Sequence, residues 1–173
     1  MILPSLLDIV NDDDEMINEE EYPIIFEESH YFDTHSSMET LKNKNNKFSI
    51  LTLNCQSINA KFSDLQIYIQ SFYDFGCSFS AICLQETWLA EDADVSLLQL
   101  PGYNLISRGM SCSAHGGVAI YLKDNFNYKM YNTNVNSDIF DSLFIEIDLD
   151  ECGTNRTLVL GNIYRPPREL VEN

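Results

Sequence analysis

The stretch Ser80-Ala-Ile-Cys-Leu-Gln-Glu-Thr-Trp88 constrains this chain more than any other. An apolar run of strand length ends abruptly at the carboxylate Glu86. Without polar alternation, such a run reads as a central strand covered on both faces. Glu86 then sits at the strand's C-terminal mouth, where open α/β sheets place their ligands. Two readings of Glu86 stand at this point. It is an oxygen ligand for a hard divalent cation, or a solvated side chain that opens an ordinary loop.

The flanking sequence supplies neighbours for that strand. Phe48 to Asn54 alternates as a strand and ends at Asn54, with Phe48, Ile50 and Thr52 expected on its core side and Leu51 and Leu53 on the other, so that both faces are covered. Phe62, Leu65, Ile69 and Phe72 recur at helical spacing, with Asn59 as the expected cap and Gly76 as the stop. Strand, helix and strand over residues 48–86 make a βαβ-like opening. If the two strands are parallel neighbours, the side chains of Asn54 and Glu86 meet at one end of the sheet. That convergence is the first functional signal in the sequence.

The remainder reads mainly as strands. Ala93 to Leu98 has the pattern of a short helical turn, and Pro101-Gly102 turns into a strand at Tyr103–Ser107. Gly116-Gly117 opens a strand over Val118–Lys123, and paired glycines mark a tight turn or a close backbone approach. His115 beside them is a ligand contact or simply an exposed loop histidine. Phe126–Tyr131 is a further strand. Leu143, Ile145, Ile147 and Leu149 alternate as a half-buried strand, and 150–154 turns it back into Thr157–Tyr164. Pro166 and Pro167 end that strand, since proline cannot donate to a ladder. Tyr164 and Arg165 are left at its mouth. A phenol beside a guanidinium suits a phosphate oxygen; the alternative is a rim tyrosine beside a solvated arginine.

Charge narrows the possible partners. The formal net charge of the 173 residues is −17. Residues 1–46 hold 12 acids and 2 bases, and residues 47–173 hold 15 acids and 8 bases. This argues against a sequence-independent clamp on phosphate backbones, which relies on Lys and Arg. Residues 1–46 read as an acidic, largely disordered leader with one possible short helix on Leu3, Leu6, Leu7 and Val10. Residues 47–173 read as the folded domain. Five cysteines, an odd number with no C-x-x-C spacing, fit reduced thiols in an intracellular protein, cytoplasmic or nuclear. The N-terminus lacks the basic region of a signal peptide, and no run reaches transmembrane length, so no membrane partner is expected.

The segments LNCQS, SAICLQETWL, LPGYNLISR, HGGVAIYL and LGNIYRPP occur in that order between about residues 48 and 167. Together they resemble the N-terminal half of an endonuclease/exonuclease/phosphatase domain. They are most similar to the apurinic-like endonuclease domain of LINE-type (non-LTR) retrotransposons. The resemblance implies an α/β (α+β) fold: a truncated four-layer α/β sandwich of the deoxyribonuclease I-like type, with mixed β-sheets and outer helices. It implies a bound Mg²⁺ or Mn²⁺, DNA as the partner, and hydrolysis of a phosphodiester by in-line attack of water. It assigns Glu86 and Asn54 to the metal, and Asn54, Glu86 and Tyr164 to the catalytic set. Tyr164, Arg165 and His115 are the expected substrate contacts.

The same resemblance implies a Gly-Asp-x-Asn segment and a Ser-Asp-His segment, which supply the water-activating Asp and the catalytic His. Neither occurs in these residues. The chain taken alone is therefore expected not to cut DNA. Two alternatives remain. One is a non-catalytic interaction module, in one variant with a protein partner that completes the sheet. The other is a phosphatase of the same superfamily, acting on inositol phosphates, or a sphingomyelinase.

Overall fold

The apolar run does become a central strand. The computed structural model describes residues 34–43, 48–110, 115–131, 139–149 and 156–166. All belong to one compact unit, Phe32–Asn173. In chain order the elements are α1 (Thr34–Asn43), β1 (Ile50–Asn54), α2 (Ile58–Asp74), β2 (Ala81–Gln85), β3 (Tyr103–Arg108), β4 (Val118–Lys123), β5 (Tyr128–Met130), β6 (Asp141–Asp148) and β7 (Thr157–Tyr164). The short helix expected near Leu3–Val10 and the turn at 150–154 lie outside the described residues, as does most of the loop before His115.

Two sheets carry these strands. The first has the order β1-β2-β4-β3, with β1 and β2 parallel and the other pairs antiparallel. The second, β5-β6-β7, is antiparallel. It lies over β2, β3 and β4. The alternation along β2 explains why its sequence is apolar at every position. Ile82 and Leu84 pack under the helices, with Ile58, Leu65, Ile69 and Phe72 of α2 and Met38 of α1. Ala81 and Cys83 face the second sheet, in a core with Val118, Ile120, Leu122, Leu143, Ile145 and Ile147. Full burial of each Ile or Leu contributes about 1.5–3 kcal/mol. Helices, first sheet and second sheet thus form three layers among the described residues.

The structure changes three local expectations. Leu51 and Leu53 of β1 are covered from the helix side and Phe48 packs on the inter-sheet core, but Ile50 and Thr52 are exposed. β1 is an edge strand beyond the cover of the second sheet, so Ile50 stays 49% exposed. The cap of α2 is Ser57, whose Oγ accepts from Ala60 N, and Asn59 sits exposed in the first turn. Ala93–Leu98 forms turns rather than a helix. The stop at Gly76 does hold: its φ is +82°, and Gly76 N and Cys77 N bond back to the carbonyls of Tyr73 and Phe72. Those two bonds are the helix-ending pattern that favours glycine.

Helix α1 falls inside the stretch read as leader, yet it packs on the domain. Met38 is buried, its carbonyl accepts from Cys77 Sγ at 3.1 Å, and Lys42 lies over the Phe75 ring. The sequence hid this helix because its exposed face is polar and only Met38 and Leu41 face inward.

One polar side chain joins the two sheets. Asn162 of β7 is 3% exposed. Its Nδ2 donates to the carbonyls of Leu84 and Ala119, each at 2.9 Å, and its Oδ1 accepts from Gln85 Nε2. All of its amide hydrogens and its oxygen are therefore used across the inter-sheet core. Asn162→Ala would leave Gln85 and two buried carbonyls without these partners, at an expected cost of about 2–4 kcal/mol in urea unfolding. A loss below about 0.5 kcal/mol would show that the amide is replaceable.

Two other buried groups set an alkaline limit. Burial pushes the Cys83 thiol up from 9.0 to about 11. It also pushes the Tyr103 phenol up from 10.0 to about 12, and the phenol's donation to Phe79 O favours the same neutral form. Folded-state values raised above the unfolded ones favour the neutral forms. The stability they confer is complete below pH 9 and is lost as pH rises through 11 to 12. Melting temperature should therefore fall steeply above pH 9 to 10. A flat profile up to pH 12 would contradict this burial.

Candidate functional site

Strand register brings one end of each sheet to a common mouth. β1 and β2 run parallel and end there, with Asn54 opposite Gln85. β4 begins there, because Val118 pairs with both Gln85 and Arg108. In the second sheet β7 ends and β6 begins at the same place, with Tyr164 opposite Asp141. The bonds from Asn162 to Leu84 and Ala119 hold that end of β7 against β2 and β4.

Asn54 and Glu86 meet directly, as the parallel arrangement requires. Asn54 Nδ2 donates to Glu86 Oε1 at 2.6 Å. The loop that carries Glu86 is held on both sides. The N–H groups of Ser57 and Ile58, at the start of α2, donate to the carbonyls of Glu86 and Thr87. On the other side, Thr87 N and Trp88 N donate to the carbonyls of Gly117 and Gly116. Backbone strain concentrates here. Among the described residues, the non-glycine positions with positive φ are Gln56 (46°), Ser57 (83°), Glu86 (53°) and Trp88 (55°). Each lies within three residues of Asn54 or Glu86. Left-handed backbone at non-glycine residues is costly and gathers where the surroundings impose it, often at functional sites.

The other expected site residues share this mouth, though none bonds Glu86. Tyr164 is half-buried against the inter-sheet core, and Arg165 beyond it is exposed. His115 is exposed, and its ring meets Trp88 edge-on at 4.8 Å. Several participants gave no clear signal in the sequence. Asp141 is 2% exposed and accepts from Gly117 N at 2.8 Å, which ties the second sheet to the Glu86 loop. Arg108, at the end of β3, donates to Ser142 O. Asn162 was detectable in principle: it is a polar residue at an inward position of an alternating strand.

Gly117 shows why the paired glycines stand where they do. Its φ is +87°, and a Cβ placed on it would lie 2.5 Å from Thr87 Oγ1. That hydroxyl is buried without a hydrogen-bond partner. Gly117 thus serves a close backbone approach, one of the two readings of the paired glycines.

The chemistry of the pair suits a hard cation. Glu86 offers carboxylate oxygen, and only Oε1 is engaged by Asn54. Among the described residues no group of three His, Cys, Asp and Glu stands close enough together to hold a metal. An ion here would therefore keep several waters, which suits Mg²⁺, commonly held by one or two carboxylates plus substrate phosphate. Cys55 turns its thiol to the backbone. Its Sγ lies 3.3 Å from Gln85 O, and burial, with a contribution from the Glu86 charge, pushes its thiol up to about 11.

No family model and no curated protein sequence matches the chain. Solved structures do. The chain is similar to the AP endonuclease LMAP from Leishmania major, with a TM-score of 0.50 and 16% identity, over 70% of this chain and 42% of that one. It is also similar to the catalytic domain of human Nocturnin with bound sulfate, with a TM-score of 0.45 and 14% identity, over 70% of this chain and 50% of that one. The chain thus spans less than half the length of the AP endonuclease it matches. The fold is an α/β sandwich of the deoxyribonuclease I-like type. Among the described residues no helix is long and apolar enough to cross a membrane.

The close approach at Gly117 can be separated from its backbone conformation. Gly76 has a similar φ of +82° but nothing within 4 Å of an added Cβ. Gly76→Ala should cost about 1–2 kcal/mol. Gly117→Ala should cost about 1–3 kcal/mol more, because the methyl meets Thr87 Oγ1. Adding Thr87→Ala should recover part of that excess. Equal losses for the two single variants in chemical denaturation would show that Thr87 does not fill the space.

Proposed function

We propose that this chain carries the metal-binding half of a divalent-metal-dependent phosphodiester hydrolase acting on DNA, of the retrotransposon endonuclease type. The observation that supports it is the bond between Asn54 and Glu86, at the mouth shared by two sheets of a hydrolase fold. Glu86 would hold Mg²⁺ or Mn²⁺, and Asn54 would fix the orientation of its carboxylate. Tyr164 and Arg165 would present a phenol and a guanidinium to phosphate oxygens. When bound, the ion supplies charge stabilisation on the phosphate.

The same geometry bears on activity. Hydrolysis also needs a base in reach of the attacking water. Asp141 is buried and engaged by Gly117 N, and His115 packs on Trp88. Neither is set to take a proton at Glu86. The residues described here bind and orient more readily than they cut.

Both parts can be measured on the purified 173-residue chain. Mn²⁺ binding, followed by the loss of the free-ion electron paramagnetic resonance signal, should be stoichiometric and weakened at least about tenfold by Glu86→Gln. Supercoiled plasmid should stay intact with Mg²⁺. Unchanged Mn²⁺ affinity in Glu86→Gln would remove the proposed metal site. Nicking that disappears in Glu86→Gln would instead show that the chain holds its own base.

A further inference from the structure

Trp88 is the chain's one tryptophan, and neither the metal nor the phosphate contacts use it. Its neighbours Thr87 and Leu89 are 0% and 2% exposed, whereas Trp88 is left 36% exposed. A large aromatic held at the surface on left-handed backbone, φ +55°, is not explained by core packing. It is also fixed in place. Trp88 N donates to Gly116 O, the indole Nε1 donates to His115 O, each at 3.0 Å, and the ring meets His115 at 67°. The result is a rigid aromatic corner two residues beyond Glu86.

Charge indicates what such a corner can recognise. A chain of net charge −17 gains little from a backbone-phosphate clamp. Stacking of a base on an aromatic face needs no net positive charge and tolerates any base. The faces of bases inside a duplex are already covered by their neighbours, so only an unpaired base can reach the indole. Arg108 and Arg165, at the ends of β3 and β7, provide local cations at the same mouth.

We propose that Trp88, held in place by His115, is a stacking platform for an unpaired base, so that this mouth takes single-stranded DNA in preference to duplex. The inference relies on the hydrolase reading only for placing DNA at the mouth.

The test uses the indole as its own reporter. The unmodified chain is titrated in EDTA with an oligothymidylate of about ten nucleotides. Trp88 emission should change and saturate, and a blunt duplex of the same length should compete at least about tenfold more weakly. By anisotropy of a labelled strand, Trp88→Ala should bind roughly 5–100-fold more weakly, and Trp88→Phe should stay within about threefold. The platform is overturned if the strand does not bind, if it binds without changing the emission, if duplex binds as tightly, or if Trp88→Ala binds like the unmodified chain. The emission arm needs no variant, so it stands even where Trp88→Ala fails to fold. Mn²⁺ binding measured on the same preparation separates the two readings. Intact Mn²⁺ binding without stacking overturns the platform alone, and stacking without Mn²⁺ binding overturns the metal site alone.

Discussion

The mouth exists because one amide is buried between two sheets. Packed apolar faces can slide, since burial is non-directional. Hydrogen bonds cannot, and Asn162 makes them to β2 and β4 at once. Any shift of β7 by one residue would turn Asn162 to the opposite face and bury nothing polar in its place. The amide thereby fixes which residues of β7 stand beside the ends of β1 and β2. Tyr164, two residues on and on the same face, reaches the mouth for that reason. The chain Thr52–Gln85–Asn162 extends this network to the edge strand, through the bond of Gln85 Nε2 to Thr52 Oγ1 at 3.1 Å.

A second constraint acts on the loops. Glu86 and Trp88 in left-handed backbone, with Gln56 and Ser57 facing them, would relax in a free chain. They are held because the Glu86 loop gives its carbonyls to the start of α2 and its N–H groups to Gly116 and Gly117. Gly117 in turn is held by Asp141 from the second sheet. The loop is therefore clamped by a helix, a strand turn and a buried carboxylate. Each clamp comes from a different part of the sequence, so the geometry of Glu86 depends on the whole fold.

What could be read from the sequence follows the range of the interactions. Local patterns were legible: the unbroken run of β2, the alternation of β6, the glycine that stops α2. The meeting of Asn54 and Glu86 was legible because a parallel βαβ unit fixes where two strand ends lie. On β1 the covered faces of Leu51, Leu53 and Phe48 were legible, but Ile50 and Thr52 stand exposed because the sequence does not show how far the second sheet extends. Ser57 displaced Asn59 as cap because its N–H needed the carbonyl of Glu86, a partner 29 positions away in the sequence. Asp141, Arg108 and the Gly117–Thr87 contact are likewise products of distant segments, and nothing near them in the chain announces them.

The combination of few ligands and high negative charge is consistent. A single carboxylate braced by an amide holds a hard cation weakly, and most of the coordination sphere stays with water. Under the proposed function, weak binding would leave room for phosphate oxygens to complete the sphere, and ion and substrate would reinforce one another. An acidic chain gains from that dependence. In the proposed reading the mouth itself would offer phosphate oxygens a phenol and two guanidinium ions. With long-range attraction absent, selectivity in the proposed readings would rest on short-range contacts: the geometry of the carboxylate and the exposed part of the Trp88 ring.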